Sequence, residues 1–342
     1  MNHIMKRVAR AAMLLGLVTG YSVYAQQTGT LERINVYGPS LAGNKLQQPD
    51  APEVSVYLPP SYAANPDRRY PVVYVLHGYS GRDTSWFGPE SSRHAEQIAD
   101  RVMGGGAAND MILVMPNCYN LFAGCMYVNS AATGYWEDYV ADDLVTYIDS
   151  HYRTIADRSA RGLAGHSMGG YGVMLIGMRR PDVFSALYAM SSCCLNEYAP
   201  QGGERAMAME KIHTQEELEA ANGMRTFAVT AAWSPNPDKP PFYLDLPTVN
   251  GDVVPEYAAR FAANSPQTLL PAHAGSLRKM TAITMDVGEQ DNLITANRTL
   301  SDTMTRYGVD HTFLTYEGDH GNRIAQRFGD YVLPFFSKHL RH

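Results

Sequence analysis

The sequence, 342 residues long, is poor in charge. Only 18% of its residues are charged, the formal net charge is −6, and no run of Lys or Arg occurs. A nucleic-acid-binding protein needs a basic stripe that neutralises phosphates, so this class is excluded. Beyond its first 25 residues the chain also lacks any stretch of about 20 apolar residues. We therefore expect no membrane span in the body of the chain.

Cofactor motifs are absent as well. The sequence has no phosphate-binding loop, no dinucleotide fingerprint and no metal-binding pair of histidines, so we expect neither a cofactor nor a metal. It has only four cysteines, and their spacing does not resemble a zinc site. Cys118 and Cys125 bracket a short loop and are the natural disulfide pair. The adjacent Cys193 and Cys194 would need a strained turn to bond, so we expect them to be two buried thiols.

The first 25 residues have the pattern of a cleaved signal peptide. Three basic residues precede the apolar run Ala11–Val18, and residues 23–25 place small side chains at the two positions that a signal peptidase reads. A single membrane anchor is the alternative, but the apolar run is short for one. Removing residues 1–25 would leave 25 basic and 34 acidic residues, a net charge of −9. The expected location is periplasmic or secreted.

The remaining sequence predicts one α/β domain over residues 26–342. Hydrophobic residues make up 45% of the chain, and β-rich apolar runs alternate with amphipathic segments. This pattern indicates a mainly parallel central sheet with helices on both faces. The predicted strands are Leu31–Tyr37, Val54–Leu58, Val72–Leu76, Met111–Met115, Gly162–Ala164, Ala186–Met190, Thr281–Val287 and Thr312–Tyr316. The predicted helices are His94–Met103, Asp138–Tyr152, Met168–Arg179, Asn292–Tyr307 and Asn322–Leu340.

A segment from about residue 195 to residue 280 breaks this alternation. Thr214 and Glu217 form a plausible capping box near its start, and five prolines follow between Pro235 and Pro247. We interpret the segment as an insertion packed over the sheet edge near the active site. We expect its proline-rich middle to bury little core of its own.

The strongest chemical signal is Gly165-His166-Ser167-Met168-Gly169. It follows a predicted strand and opens an apolar helix, which is the context of a nucleophile elbow. The glycines allow a turn sharp enough to project the Ser167 hydroxyl above the sheet, and the helix N-terminus favours negative charge there. A glycine-rich turn without catalytic function is the alternative interpretation.

A serine nucleophile needs a base that a third group orients. In α/β domains with a nucleophile elbow, the serine comes first along the chain, the acid second and the histidine last. The acid and the histidine each lie on a loop that follows a strand. Asp291 follows the strand Thr281–Val287, and His320 follows the strand Thr312–Tyr316. These residues are therefore the predicted acid and base.

Several rivals for these roles stay open. Asp286 lies inside a strand and should point into the core or a helix layer, while Glu289 stands slightly early in its loop. Asp319 adjoins His320 and cannot easily face it. Of the other histidines, His311 begins a strand and His166 is held in the elbow.

The oxyanion of an acyl intermediate needs two backbone donors. One is the N–H of Met168, and the other is expected to be the N–H of Tyr79, in the loop after Val72–Leu76. Aromatic residues are candidates for shaping the substrate pocket, although packing explains each of them equally well. They are Trp136, Trp233 and Tyr243, together with Trp86 and Phe242.

Taken together, these residues resemble the putative-esterase family of α/β-hydrolases. That family includes esterase D (S-formylglutathione hydrolase), feruloyl esterase domains, enterochelin esterases and mycolyltransferases. The resemblance implies the α/β-hydrolase fold and a triad of Ser167, Asp291 and His320, with Tyr79 and Met168 as oxyanion donors. It extends from about Leu31 to Leu340, and the matching stretches are Val56–Pro60, Arg69–Val72, Leu76–Gly78, Trp136–Asp138, Gly165–Gly170, Gly288–Asp291 and Gly318–His320.

The resulting hypothesis is a serine carboxylesterase that acts through an acyl-enzyme on a small-molecule or saccharide-linked ester. Acyl transfer of the mycolyltransferase type uses the same triad and stays open. An S-formylglutathione hydrolase-like thioesterase is a further alternative, although the leader counts against that cytosolic class. A hypothesis of a different class is a non-catalytic binding protein, which an intact triad disfavours. Neither the ester nor the oligomeric state follows from the sequence.

Overall fold

A computed structural model describes residues 28–196 and 200–342, so the predicted signal peptide lies outside the described residues. In this part of the chain eight strands form one sheet, and each falls on a predicted strand. They are β1 (Thr30–Asn35), β2 (Glu53–Leu58), β3 (Val72–Leu76), β4 (Ile112–Pro116), β5 (Arg161–His166), β6 (Ala186–Met190), β7 (Ala282–Gly288) and β8 (Thr312–Tyr316). Two short ribbons pair Asn129–Ser130 with Gly134–Tyr135 and Thr248–Val249 with Asp252–Val253.

The order of strands across the sheet is β1-β2-β4-β3-β5-β6-β7-β8. Strand β2 pairs antiparallel with β1 and with β4. All the other neighbouring strands are parallel. Because parallel strands end at the same edge, the loops after β3, β5, β7 and β8 meet there. The predicted site residues lie on these loops.

Helices cover both faces of the sheet, as the sequence predicts. Tyr74 and Leu76 of β3 belong to one hydrophobic cluster with the helix Met168–Arg179, whereas Val73 and Val75 belong to a second cluster with the helix Ala95–Gly104. This alternation is the period-2 pattern of a strand that is buried on both faces. The helices are α1 (Ala95–Gly104), α2 (Leu144–His151), α3 (Met168–Arg179), α4 (Glu204–Glu210), α5 (Gln215–Ala220), α6 (Met224–Trp233), α7 (Pro255–Ala262), α8 (Pro266–Leu277), α9 (Ile294–Arg306), α10 (Ile324–Arg327) and α11 (Leu333–His339).

Two predicted helices contain a wide turn that the sequence pattern did not indicate. A helical turn at Trp136–Asp138 runs through the π-helical segment Tyr139–Asp143 into α2. A second π-helical segment, Phe328–Val332, joins α10 to α11. Pro334 follows this second segment and cannot donate a helical hydrogen bond, which gives the wider turn a physical reason. The first segment has no such residue.

The segment between β6 and β7 takes part in a third hydrophobic cluster. Phe122, Phe227 and Phe242 pack together in it, with ring centroids 5.0 Å apart for Phe227 and Phe242. The proline-rich middle contributes only Phe242 and Leu244 to its buried members, and the rest come from the helical part of the segment and from residues outside it, such as Phe122 in the loop after β4. The capping box is confirmed, since the Glu217 N–H donates to Thr214 Oγ1 at 3.2 Å and the Thr214 N–H donates to Glu217 Oε2 at 3.1 Å.

Over residues 28–196 and 200–342, no helix has the length and apolar character needed to cross a membrane.

Candidate active site

Ser167 lies at the sharp turn between β5 and α3. Its φ of 58° and ψ of −113° form a conformation that residues other than glycine rarely adopt. Two backbone hydrogen bonds hold the turn. The Ser167 N–H donates to the Met190 carbonyl at 2.9 Å, and the Cys193 N–H donates to the Ser167 carbonyl at 3.1 Å. The strand–turn–helix geometry expected of an elbow is therefore present at Ser167.

Close backbone contacts explain the two glycines of the motif. A Cβ on Gly169 would lie 2.0 Å from the carbonyl oxygen of Leu76, and a Cβ on Gly165 would lie 2.5 Å from the carbonyl oxygen of Gly169. Backbone atoms cannot rotate away as a flexible side chain can. Both positions therefore exclude any side chain.

Ser167, Asp291 and His320 form one chain of hydrogen bonds. His320 Nε2 is 2.9 Å from Ser167 Oγ, and His320 Nδ1 is 2.8 Å from Asp291 Oδ2. The Asp291 side chain is fully buried and also accepts the Leu293 N–H at 2.9 Å, whereas the His320 side chain is 42% exposed. With the proton on Nδ1, His320 donates to Asp291 and accepts from the Ser167 hydroxyl. This arrangement suits a base that takes the serine proton.

A second histidine supports the loop that carries His320. The His166 Nε2–H donates to the His320 backbone carbonyl at 2.8 Å, and the two ring centroids are 4.8 Å apart. Burial and, next to it, the neighbouring His320 lower the pKa of His166 to about 3. His166 is therefore neutral near pH 7 and places no positive charge against His320.

The rival residues lie away from Ser167 or have other partners. Asp286 is fully buried and paired with Arg327 at 2.9 Å, which confirms the expectation that its side chain points into the packed interior. Glu289 and Asp319 are exposed. Glu289 accepts a hydrogen bond from Thr315 at 3.3 Å, and Asp319 accepts the N–H of Gly321 at 2.8 Å.

Two backbone N–H groups beside Ser167 are available to an anion. Among the described residues, neither the N–H of Tyr79 nor that of Met168 donates a hydrogen bond within the chain. Their loops are in contact, because a Cβ on Gly78 would lie 3.4 Å from Ser167 Cβ. Both donors predicted for the oxyanion therefore lie next to the serine, with Met168 directly after it in sequence.

His77 fixes the path of the loop that carries Tyr79. With its proton on Nδ1, His77 donates to the Gly78 carbonyl at 2.9 Å, and its Nε2 accepts the Cys118 N–H at 3.0 Å. The expected disulfide between Cys118 and Cys125 is not formed, since both are free, buried thiols. Their loop spacing allowed a bond, but it did not fix how the thiols pack.

A cavity of about 820 Å³ is lined by the loop that follows β6 and by the insertion, and Ser167, Asp291 and His320 are not among its described lining residues. Cys193, Cys194 and Leu293 contribute to its wall, and the Cys193 N–H binds the Ser167 carbonyl. Cys193 and Cys194 are free but only partly buried, which corrects the expectation of two buried thiols; their Sγ atoms are 2.8 Å apart. The insertion closes the cavity with residues that the sequence did not single out, including Arg205 and Arg225.

The aromatic residues predicted to bind substrate do not line this cavity. Trp136 is buried in the core and donates its indole N–H to the Thr133 carbonyl at 3.0 Å. Trp233 is buried against Tyr171, with ring centroids 5.7 Å apart. Tyr243 packs against the cluster around Phe242. Packing, the alternative kept for each of them, accounts for all three.

Comparison with known families gives a match over most of the chain. The profile of the family described as Putative esterase matches residues 47–326. A bifunctional endo-1,4-beta-xylanase/feruloyl esterase from Xylanibacter ruminicola is 34% identical over 135 residues, which cover 38% of this chain and 18% of that protein. An esterase from Mycobacterium tuberculosis is 32% identical over 127 residues, which cover 36% of this chain and 25% of that protein. The chain thus matches a quarter or less of these curated relatives.

Solved structures extend the likeness of fold to nearly the whole chain. A ferulic acid esterase superposes with a TM-score of 0.64 at 22% identity, covering 91% of this chain and 99% of that one. An S-formylglutathione hydrolase from Agrobacterium tumefaciens superposes with a TM-score of 0.59 at 16% identity, covering 93% and 98% of the two chains. Both are hydrolases of the α/β type, so the predicted fold class is confirmed.

Proposed function

Because the chain belongs to the Putative esterase family, we propose that it is a serine carboxylesterase in which Ser167 is the nucleophile. His320 is the general base, and Asp291 orients it. One observation carries the proposal, namely the continuous hydrogen-bonded order of the three side chains, with His320 2.9 Å from Ser167 Oγ and 2.8 Å from Asp291 Oδ2.

The reaction has two halves that use the same groups. Ser167 Oγ attacks the ester carbonyl while His320 Nε2 takes its proton, and the buried Asp291 carboxylate stabilises the imidazolium that forms. The N–H groups of Met168 and Tyr79 bind the oxyanion. His320 then protonates the leaving alcohol. Water, deprotonated by His320, attacks the acyl-enzyme and releases the acid, with Ser167 reprotonated.

The location and the substrate class belong to the proposal as well. We place the enzyme in the periplasm or outside the cell, because residues 1–25 have the pattern of a signal peptide. Its substrate is a small-molecule or saccharide-linked ester. Feruloyl esters belong in a first substrate panel because relatives are named as feruloyl esterases.

The test combines a substrate assay with active-site labelling. Ser167→Ala should lower kcat on a short 4-nitrophenyl ester by at least about 10⁴-fold, since removing a nucleophile leaves only oxyanion and binding contributions. A fluorophosphonate probe should label the wild-type chain and fail to label this variant. Ser92→Ala, at an exposed serine, is the matched control and should retain both properties. Equal labelling of the wild type and Ser167→Ala would refute the assignment.

A further inference from the structure

Two arginines of the insertion line the cavity and have no carboxylate partner among the described residues. Arg205 lies on α4 and Arg225 on α6, and both line the cavity of about 820 Å³. Neither makes an ion pair with a described residue. No Asp or Glu is among the described residues of the cavity wall. Arg260, in the same segment, is paired with Asp245 at 3.1 Å.

The positive charge of Arg225 affects the pKa values of two side chains, Tyr79 and Cys194. Burial raises the pKa of the Tyr79 side chain, and the Arg225 charge opposes that rise. The interaction with Cys193 lowers the pKa of the Cys194 thiol, and Arg225 lowers it further. Tyr79 also supplies the expected oxyanion N–H, and Cys193 is hydrogen-bonded to the Ser167 backbone at 3.1 Å. Arg225 is therefore close enough to act electrostatically on Tyr79 and on the Cys193–Cys194 pair, and it also lines the cavity.

We propose that the cavity receives an ester that carries a carboxylate, which Arg205 and Arg225 bind while the ester carbonyl lies at Ser167. This inference rests on the proposed function and narrows its substrate class. A guanidinium group binds a carboxylate through two parallel hydrogen bonds, and it keeps its charge at every relevant pH.

The sign of the charge on the cavity wall is opposite to the net charge of the chain. The net charge of −6 repels an anionic ester in general. The two cations on the described part of the cavity wall attract an anion locally. Both arginines are exposed, so solvent and salt screen them and the effect on affinity is moderate.

The experiment compares matched pairs of esters that differ only by a charged group. On the acyl side the pair is mono-4-nitrophenyl adipate and 4-nitrophenyl hexanoate. On the alcohol side it is 4-acetoxybenzoate and its methyl ester. For each pair the measured quantity is kcat/KM of the anionic ester divided by kcat/KM of the neutral ester. The pair whose ratio responds to the variants shows which half of the substrate carries the carboxylate.

Arg225→Ala and Arg205→Ala should each lower this ratio by about tenfold in one of the two pairs. Arg225→Lys should recover part of the loss, because it restores charge without the planar fork. Arg298→Ala is the matched control, since it removes the same charge from an exposed position on α9 that does not line the cavity. It should leave the ratio unchanged.

The inference and the proposed function fail in different ways. If neutral esters are hydrolysed with Ser167 dependence but both ratios are unchanged in Arg205→Ala and Arg225→Ala, the inference is wrong and the esterase stands. Binding is measured in parallel by calorimetry with Ser167→Ala and the same esters. Tighter binding of the anionic member, lost in Ser167→Ala/Arg225→Ala, supports the inference without turnover. Equal affinity for both members in both pairs overturns it.

Discussion

His166 offers a sensitive test of how the catalytic loop is held. Among the described residues, the His320 carbonyl accepts a hydrogen bond only from His166 Nε2, at 2.8 Å. His166→Ala removes this donor and leaves a cavity beside the His320 ring. The hydrogen bonds that join His320 to Asp291 and to Ser167 do not involve His166, so the three side chains should be held less firmly but still meet.

The expected fall in kcat for His166→Ala follows from the loss of the hydrogen bond between His166 and the His320 carbonyl. A net intramolecular hydrogen bond contributes about 1 kcal/mol, and because the His320 carbonyl is only partly buried, leaving it unpaired costs no more than the lower part of the range of about 1–3 kcal/mol for a buried acceptor. If this loss raises the activation free energy by about 1–2 kcal/mol, kcat falls about 5- to 30-fold. The KM of a small neutral ester should change little, because the His166 ring is buried and hydrogen-bonded to the His320 backbone.

The assay is steady-state hydrolysis of a 4-nitrophenyl ester, with active sites counted by fluorophosphonate titration. His166→Gln is the matched variant, because its amide N–H can reach the position of Nε2 and should recover most of kcat. The reasoning is refuted if all His166→Ala molecules react with the fluorophosphonate and their kcat is within twofold of the wild-type value. It is also refuted if His166→Gln is as slow as His166→Ala while both are folded.

The same residue makes a prediction about pH and stability. The folded pKa of His166 is about 3, below its ordinary value of 6.5. Between these values the unfolded chain binds a proton that the folded chain does not, so the free energy of unfolding falls as pH falls. The contribution is complete above about pH 6.5 and is lost towards pH 3. Urea titrations across this range should show a steeper decline for the wild type than for His166→Gln. Parallel curves would contradict the assignment of a neutral, buried imidazole.

Other predictions concern the packing around the site. Arg327→Met should lower the free energy of unfolding by about 3–5 kcal/mol, because it leaves the fully buried Asp286 carboxylate without its 2.9 Å ion pair. Adding Asp286→Asn should recover part of that loss in urea titrations, and a single-variant loss below about 1 kcal/mol would contradict the argument. Gly169→Ala should abolish activity and lower Tm, since its Cβ would lie 2.0 Å from the Leu76 carbonyl oxygen. Gly275→Ala is its control, because a new Cβ there would lie 3.9 Å from the Arg278 side chain, which is ordinary van der Waals contact. Its thermal unfolding should show an unchanged or raised Tm, because alanine favours a helix.

Local patterns were sufficient to predict most of the fold. The strands are short, apolar and bounded by turn residues, so all eight were predicted within a few residues. The elbow, with the rule that the acid and the histidine follow later strands, singled out the three residues that the fold brings together. These inferences succeed because parallel strands place their following loops at one edge, whatever the details of packing.

The features that could not be predicted from the sequence depend on contacts between segments that are distant along the chain. The cavity wall forms only when α4 and α6 pack over the loops after β6 and β7, so Arg205 and Arg225 carried no local signal. Aromatic character favoured Trp136 and Trp233 as substrate contacts, but their large apolar surfaces are buried in packing instead. The state of Cys118 and Cys125 depended in the same way on the path of the surrounding loop.

The position of β8 at the edge of the sheet has a consequence for how activity is gained and lost. Among the described strands β8 pairs only with β7, and its residues are exposed or only half-buried. His320 follows this strand, 153 residues after the serine that it contacts. Edge elements with few buried contacts open at lower free energy than central strands. Catalysis should therefore disappear in denaturant before the central sheet melts, and it should return last on refolding, as a signal that the final strand has docked.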